Sequence, residues 1–308
     1  MVGSTLLKLI DEYNFPLNKL KLFASNKSFG KEIIFKNNRY YVDVLAENSF
    51  IDLDFVFFCA GSDVSKDWAL LAVRCGCIVI DNSSYFRMDE NVGLIIPSVN
   101  FSSQYRLISN PNCSTIQSVI CLNALKSFGL KRVVYNTYQA VSGSGMRGID
   151  DLVNKKESFY PFNINKTCIP QIDTFLINGY TKEEIKMINE TKKILNMPKL
   201  DVVATCIRVP VLNSHGVSVL VELEKECSLL DIYDAFNKQE GLIIKEPYPT
   251  SIDSNDNDFV YVGRIRKDLS KPNSFLFYTV ADNVRVGAAT NAIKIALKII
   301  ENPIALKN

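Results

Sequence analysis

The sequence predicts an α/β protein in two parts: a doubly wound parallel-sheet domain and an α+β domain whose sheet is mostly antiparallel. Two observations predict this. Up to about residue 110, short apolar runs alternate with helical patterns at crossover spacing, as parallel strands require. Beyond Cys113 the strand-like segments lengthen and mix polar with apolar residues, as in sheets with one face open to water or to a partner subunit.

Residues 4–13 carry apolar side chains at amphipathic-helix spacing. Leu20 to Ala24 reads as a short strand, and Ile33 to Val44 as a hairpin turning at Asn37-Asn38. Asp54 to Ala60 is a continuous apolar run of buried-strand type, stopped by Gly61-Ser62-Asp63, where a helix to about Cys75 begins. Cys77 to Ile80 is the next strand, closed by Asp81-Asn82-Ser83-Ser84, and Leu94 to Ile96 and Leu107-Ile108 follow. In the second part, Arg132 to Val141, Asp201 to Val209 and Val217 to Leu223 are the long strands. Between them lie a polar stretch (Lys155 to Lys166) and helices from Thr181 to about Leu195 and Leu229 to Phe236. A strand from Phe275 to Val280 precedes a last helix, Val286 to Glu301, expected to pack back on the first domain. The expected domains are 1–112 with 283–308, and 113–282.

A formal net charge of +2 over 308 residues gives no case for a nucleic-acid or anionic-membrane partner. The eight cysteines form no C-x-x-C pair and several sit in apolar runs, which is reduced, intracellular usage. One histidine and scattered thiols argue against a metal site. The first twelve residues carry charges at helical spacing instead of an apolar core, so neither a signal peptide nor a membrane span is read and the cytoplasm is expected.

That single histidine, His215, and the segment Ser109-Asn110-Pro111-Asn112-Cys113-Ser114-Thr115 carry the chemistry. Asn-Pro-Asn is a turn, and the residues after it read as a helix, so Cys113 stands at a helix N-terminus, where the dipole favours a thiolate. A buried structural cysteine is the other reading. Imidazole titrates near neutrality and suits acid–base work, although a lone histidine also serves as a hydrogen-bonded core residue. Arg208 follows an apolar run and needs a carboxylate, from a ligand or from a structural partner such as Glu222. Glu183 and Lys186, three apart on one helix, can serve a ligand or pair on the surface. Arg87 follows a strand's C-terminal end, where open α/β sheets bind ligands; Asp89 or Glu90 could instead hold it. After the Leu20–Ala24 strand, Lys27 and Ser28 can meet a ribose 2′-phosphate, and no acidic residue is there to grip a 2′-hydroxyl, which favours NADP over NAD. An ordinary polar loop is the plain alternative. Gly143-Ser144-Gly145-Met146-Arg147-Gly148 spells a dinucleotide fingerprint but lacks a nearby second parallel strand, so it reads as an active-site turn.

In that order, Asn-Pro-Asn-Cys113-Ser-Thr, Gln139 to Gly145, Glu183 to Lys186, Arg208 to His215 and Asp282 to Ala289 closely resemble the bacterial aspartate-semialdehyde dehydrogenases over nearly the whole chain. The resemblance implies a Rossmann-like first domain and interconversion of L-aspartate 4-semialdehyde and L-4-aspartyl phosphate with NADP and phosphate. It further implies a homodimer or a tetramer, and a place on the shared branch to lysine, methionine, threonine and diaminopimelate. By the same resemblance Cys113 is the nucleophile, His215 the acid/base, and Gln139 the residue positioning the acyl intermediate. Arg208 would take the α-carboxylate, Glu183 the α-amino group, and Arg87, Lys186 and Asn112 the phosphate; Ser142, Gly143 and Asn283 would line the nicotinamide. The sibling N-acetyl-glutamyl-phosphate reductase carries Pro-Gly-Cys-Tyr-Pro, unlike Pro111-Asn112-Cys113-Ser114-Thr115; a non-catalytic, truncated paralogue acting as a dimer partner is the other alternative. The family opens with a buried strand and Gly-x-x-Gly-x-Val-Gly, of which only Val2-Gly3 stands here. The expectation is a first sheet lacking an interior strand, either because the native start lies upstream or because a shorter product binds cofactor poorly through Val2.

Overall fold

The computed structural model describes residues 1–303. Helix α1 (Val2–Glu12) buries Leu6, Leu9 and Ile10 on one side. Strands β1 (Leu22–Phe23), β2 (Glu32–Phe35) and β3 (Asn38–Asp43) form a small sheet in the order β1-β3-β2. The β2–β3 hairpin turns at Lys36 and Asn37, both with positive φ (48° and 60°), one residue earlier than the sequence suggests. Lysine is an unusual occupant of that conformation, which is why the Asn-Asn pair misleads.

A four-stranded, all-parallel sheet follows in the order β4 (Phe55–Phe58), β5 (Ile78–Asp81), β7 (Leu107–Ser109), β6 (Gly93–Leu94). Helix α2 (Ser62–Arg74) and the short α3 (Pro97–Asn100) are its connections. The expected doubly wound sheet is thus present in two pieces. Among the described residues β1 pairs only with β3 and β4 only with β5. One apolar cluster bridges the pieces, joining Phe35, Ile80, Ile108, Leu9 and Ile10 to the last helix.

Helix α4 (Cys113–Leu125) buries ten residues, Ser114 to Leu122 and Leu125. It can be apolar nearly all round because it is covered on several sides. Its stripe Ile116, Val119, Ile120, Leu122 joins the largest core, shared with the six-stranded sheet. That sheet runs β11-β12-β13-β10-β8-β9: β8 (Leu130–Gln139), β9 (Asp201–Arg208), β10 (His215–Leu223), β11 (Leu242–Ile244), β12 (Val260–Lys267), β13 (Ser274–Ala281). The β8–β10, β10–β13 and β12–β13 pairs are antiparallel; β8–β9 and β11–β12 are parallel. Helices α5 (Gly145–Val153) and α6 (Lys182–Leu195) lie on the β8–β9 crossover, and α7 (Leu229–Lys238) and α8 (Ser251–Ser254) follow β10 and β11. A π-helical turn, Arg285–Ala289, leads into α9 (Thr290–Glu301), which packs with α1 as expected. Residues 304–308, the end of the expected second cofactor-domain segment, lie outside the described residues. None of the described helices is long and apolar enough to cross a membrane.

Candidate active site

Asn112 caps α4. Its Oδ1 accepts from the N–H groups of Ser114 (2.9 Å) and Thr115 (3.2 Å), so its Nδ2 is turned outward and donates to Glu183 Oε1 at 2.8 Å. The helix N-terminus forms because Asn is a preferred cap and Pro111 fixes the approach. It delivers Cys113, half-buried, as the first helical residue. The expected thiolate is corrected: burial first, then the Glu183 charge, pushes the thiol up to about 11, against the pull of Arg87 and Arg208. Gly287 of the π-turn backs onto it, where an added Cβ would stand 2.6 Å from the Cys113 Cβ.

Helix α6 starts with a capping box, Thr181 and Glu184, which aims its first turn. Buried Glu183 meets Asn112 and, at 3.3 Å, receives the Gln139 amide on the same oxygen. Its other oxygen accepts from Lys186 Nζ at 3.2 Å, which also donates to Asp173 at 2.9 Å. Burial alone would lower the Lys186 pKa, but Glu183 and Asp173 outweigh it and hold the ammonium above its ordinary value. The pair expected of a surface helix therefore exists, yet it is built into the site beside the cysteine.

Arg87 reaches the same place from the loop after β5. Asp81 organises that loop by accepting from Ser65 Oγ and from the N–H and Oγ of Ser83. Arg87 is 8% exposed. It donates to Asn82 O (3.0 Å) and pairs with Glu190 (2.9 Å), so neither Asp89 nor Glu90 is its partner. Its Nε is buried with no partner among the described residues. Glu190 also accepts the N–H of Asn112 at 2.6 Å.

Arg208 ends β9 opposite Gln139 in the sheet register and donates to Ala140 O. It is 4% exposed and has no carboxylate partner among the described residues; Glu222 instead pairs with Arg132 and Lys271. His215 opens β10, fully buried. Ser214 ahead of it holds a strained φ of 74°, with its N–H on Asn283 Oδ1. The Ala140 N–H donates to His215 Nδ1 at 3.0 Å, and Nε2 has no partner among the described residues. In the neutral ring the proton therefore sits on Nε2. Burial, reinforced by Arg208, depresses the imidazole well below its ordinary 6.5, so the expected titration near neutrality is corrected. Gly143 lets the backbone pack closely here, since a Cβ there would be 3.1 Å from both His215 Nε2 and Arg208 Nη1. Ser142 hydrogen-bonds Asn283 and Asn213, tying this turn to the π-turn's approach. The Gly143–Gly148 segment is a 3₁₀ turn passing directly into α5, so the expected active-site turn continues as a helix.

Eleven of the expected residues thus converge: Arg87, Asn112, Cys113, Gln139, Ser142, Gly143, Glu183, Lys186, Arg208, His215 and Asn283. Val2, Lys27 and Ser28 lie outside the cluster, at the start of α1 and after β1, with Lys27 exposed. Glu190 was missed by sequence reasoning; its spacing from Glu183 and Lys186 (i, i+7 and i, i+4) is the signal that points to it. Asn213 and Gly287 carry no comparable signal. Among the described residues no cluster suits a metal ion.

Residues 1–106 match the family described as semialdehyde dehydrogenase, NAD binding domain, and residues 122–286 that described as semialdehyde dehydrogenase, dimerisation domain. The aspartate-semialdehyde dehydrogenase of Campylobacter jejuni is 42% identical over 97% of this chain and 94% of its own length. That of Aquifex aeolicus is 42% identical over 97% and 95%. A crystal structure of aspartate semialdehyde dehydrogenase II from Vibrio cholerae, complexed with ASA, superposes with a TM-score of 0.94 at 38% identity, covering 98% of this chain and 96% of that one.

Proposed function

The chain belongs to the aspartate-semialdehyde dehydrogenase family, and from that premise we propose how its residues interconvert L-aspartate 4-semialdehyde and L-4-aspartyl phosphate. The enzyme is a nicotinamide-dependent oxidoreductase of amino-acid biosynthesis and a homo-oligomer. We read it as a cytoplasmic homodimer, with 1–112 and 283–308 binding cofactor and 113–282 carrying catalysis and the subunit contact.

The observation that carries the site assignment is Arg208, a buried guanidinium beside Cys113 with no carboxylate partner among the described residues. A buried unpaired charge is costly, and a bidentate carboxylate offsets it. Arg208 takes the substrate α-carboxylate and Glu183 the α-ammonium. Arg87, with its unpartnered Nε, takes the phosphate together with Lys186 and Asn112.

In the phosphate-releasing direction Cys113 Sγ attacks the acyl carbon. The acyl–oxygen bond breaks, the thiol proton leaves with the phosphate, and a thioester remains on sulfur. Gln139 holds the acyl group. His215 offers its Nε2–H to the oxygen, where negative charge gathers as the carbonyl becomes tetrahedral. Once the acyl carbon has gained a hydride its C–S bond can break: the aldehyde leaves, and the sulfur takes a proton from water to become the thiol again. No step requires the ring to become a cation, which fits its depressed pKa.

A nicotinamide dinucleotide fits the residues present: His215 Nε2 is a buried donor with no partner among the described residues, Gly143 puts no side chain beside it, and Ser142 and Asn283 are hydrogen-bonded to each other next to that turn. When bound it supplies or accepts the hydride. The first turn of α1, at Val2, carries no acidic residue to repel a pyrophosphate. Lys27 and Ser28 would meet a 2′-phosphate, so we assign NADP.

Cys113→Ala is expected to abolish turnover with the far-UV spectrum unchanged. Arg208→Leu is expected to raise the semialdehyde KM steeply and leave the phosphate KM in place. The opposite split would mean that the two anion sites are exchanged.

A further inference from the structure

We propose that Glu190 is a positioning residue of this reaction: a single carboxylate that fixes the Arg87 guanidinium relative to the turn carrying Cys113. The proposal rests on reading Arg87 as a phosphate ligand. Glu190 is 1% exposed, and both of its oxygens are committed to different elements. Oε1 accepts from Arg87 Nη1 at 2.9 Å, and Oε2 accepts from the Asn112 backbone N–H at 2.6 Å, one residue before the nucleophile.

A stabilising role alone explains this poorly. Burying a carboxylate is costly, and apolar replacements of buried ion pairs are often as stable or more so. The pair also dilutes the positive charge that Arg87 offers an anion. What the arrangement supplies is geometry. With Nη1 on Glu190 and Nη2 on Asn82 O, the guanidinium is held from two sides, and its Nε is the donor left without a partner among the described residues.

The same helix grips the loop a second time. Lys193, one turn beyond Glu190, donates Nζ to the carbonyls of Arg87 (2.8 Å), Asp89 (2.7 Å) and Val92 (3.0 Å). Glu183, Lys186, Glu190 and Lys193 share one face of α6, at steps of three, four and three residues. That face therefore sets the distance between the phosphate-binding arginine and the sulfur that displaces phosphate.

The test is Glu190→Gln, which keeps the shape and removes the charge, assayed with phosphate and semialdehyde varied separately. The phosphate KM should rise about tenfold or more, the worth of one charge-assisted hydrogen bond, and the semialdehyde KM should not follow it. In an Arg87→Leu background the change should add nothing further to the phosphate KM. Glu190→Asp, too short to span both partners, should recover part of the loss. An unchanged phosphate KM, equal rises in both KM values, or full additivity with Arg87→Leu overturns the proposal. If Arg87→Leu alone leaves the phosphate KM unchanged, the reading of Arg87 falls and this proposal falls with it; the two failures are thereby distinguished. Should Glu190→Gln fail to fold, Glu190→Asp runs the same cycle against the same outcomes.

Discussion

Because Nδ1 of His215 accepts the Ala140 N–H, protonating the ring would set two N–H groups against each other. On the mechanism proposed above, the ring works as a neutral donor. Only one histidine is present, so ¹⁵N-histidine labelling gives a single ring to follow. Nδ1 should report as unprotonated and Nε2 as protonated from pH 8 down to about 5.5, a pH unit below the ordinary histidine value; a cationic ring near pH 6.5 would refute the assignment. His215→Ala should lower kcat by about 10²–10³, the usual loss for one oxyanion donor. Alkylation of the Cys113 peptide in the free enzyme, followed by mass spectrometry, should keep accelerating as pH rises towards 11. A plateau below pH 8 would contradict the burial argument. The nucleophile's address was legible, because Asn-Pro-Asn and a helix-forming run are local signals. The imidazole's tautomer was not, since its partner lies 75 residues away in sequence.

At the level of elements, the π-turn Arg285–Ala289 carries more of the site than its sequence announces. Gly287 lets the backbone lie against Cys113. Gly287→Ala would drive a methyl into the Cβ of Cys113, so a cost of about 1–3 kcal/mol in thermal melts is expected, with kcat falling as the sulfur is displaced. Unchanged melting and turnover would show that the turn yields freely. Strands and helices were legible to within a few residues wherever apolar periodicity was strong, as in β4, β10 and α6. Strand β12 was not, because Gly263 and the positive φ of Arg264 interrupt its alternation with a bulge. Helix α5 was also hidden, since Gly145 and Gly148 are poor helix formers.

For the whole molecule, the buried histidine leaves a signature in stability. Its folded pKa lies below the unfolded 6.5, so as pH falls through 6.5 the unfolded chain takes up a proton that the folded one refuses. Stability is then lost by up to about 1.4 kcal/mol per pH unit below that point. Urea titrations between pH 7 and 5 should show this slope in the wild type and its loss in His215→Asn; parallel slopes would sink the argument. The two-part architecture was legible from the change in strand character near Cys113. How the halves meet was not, because the Arg285 bridge to Glu12 and Asp258 joins residues far apart in sequence. Helix α6, finally, has a bearing on how such an enzyme can evolve. The groups assigned here to the amine, to the phosphate and to the arginine's anchorage ride on one stiff rod. A population selected to accept a bulkier aldehyde by shifting that rod should find its appetite for inorganic phosphate changing in step.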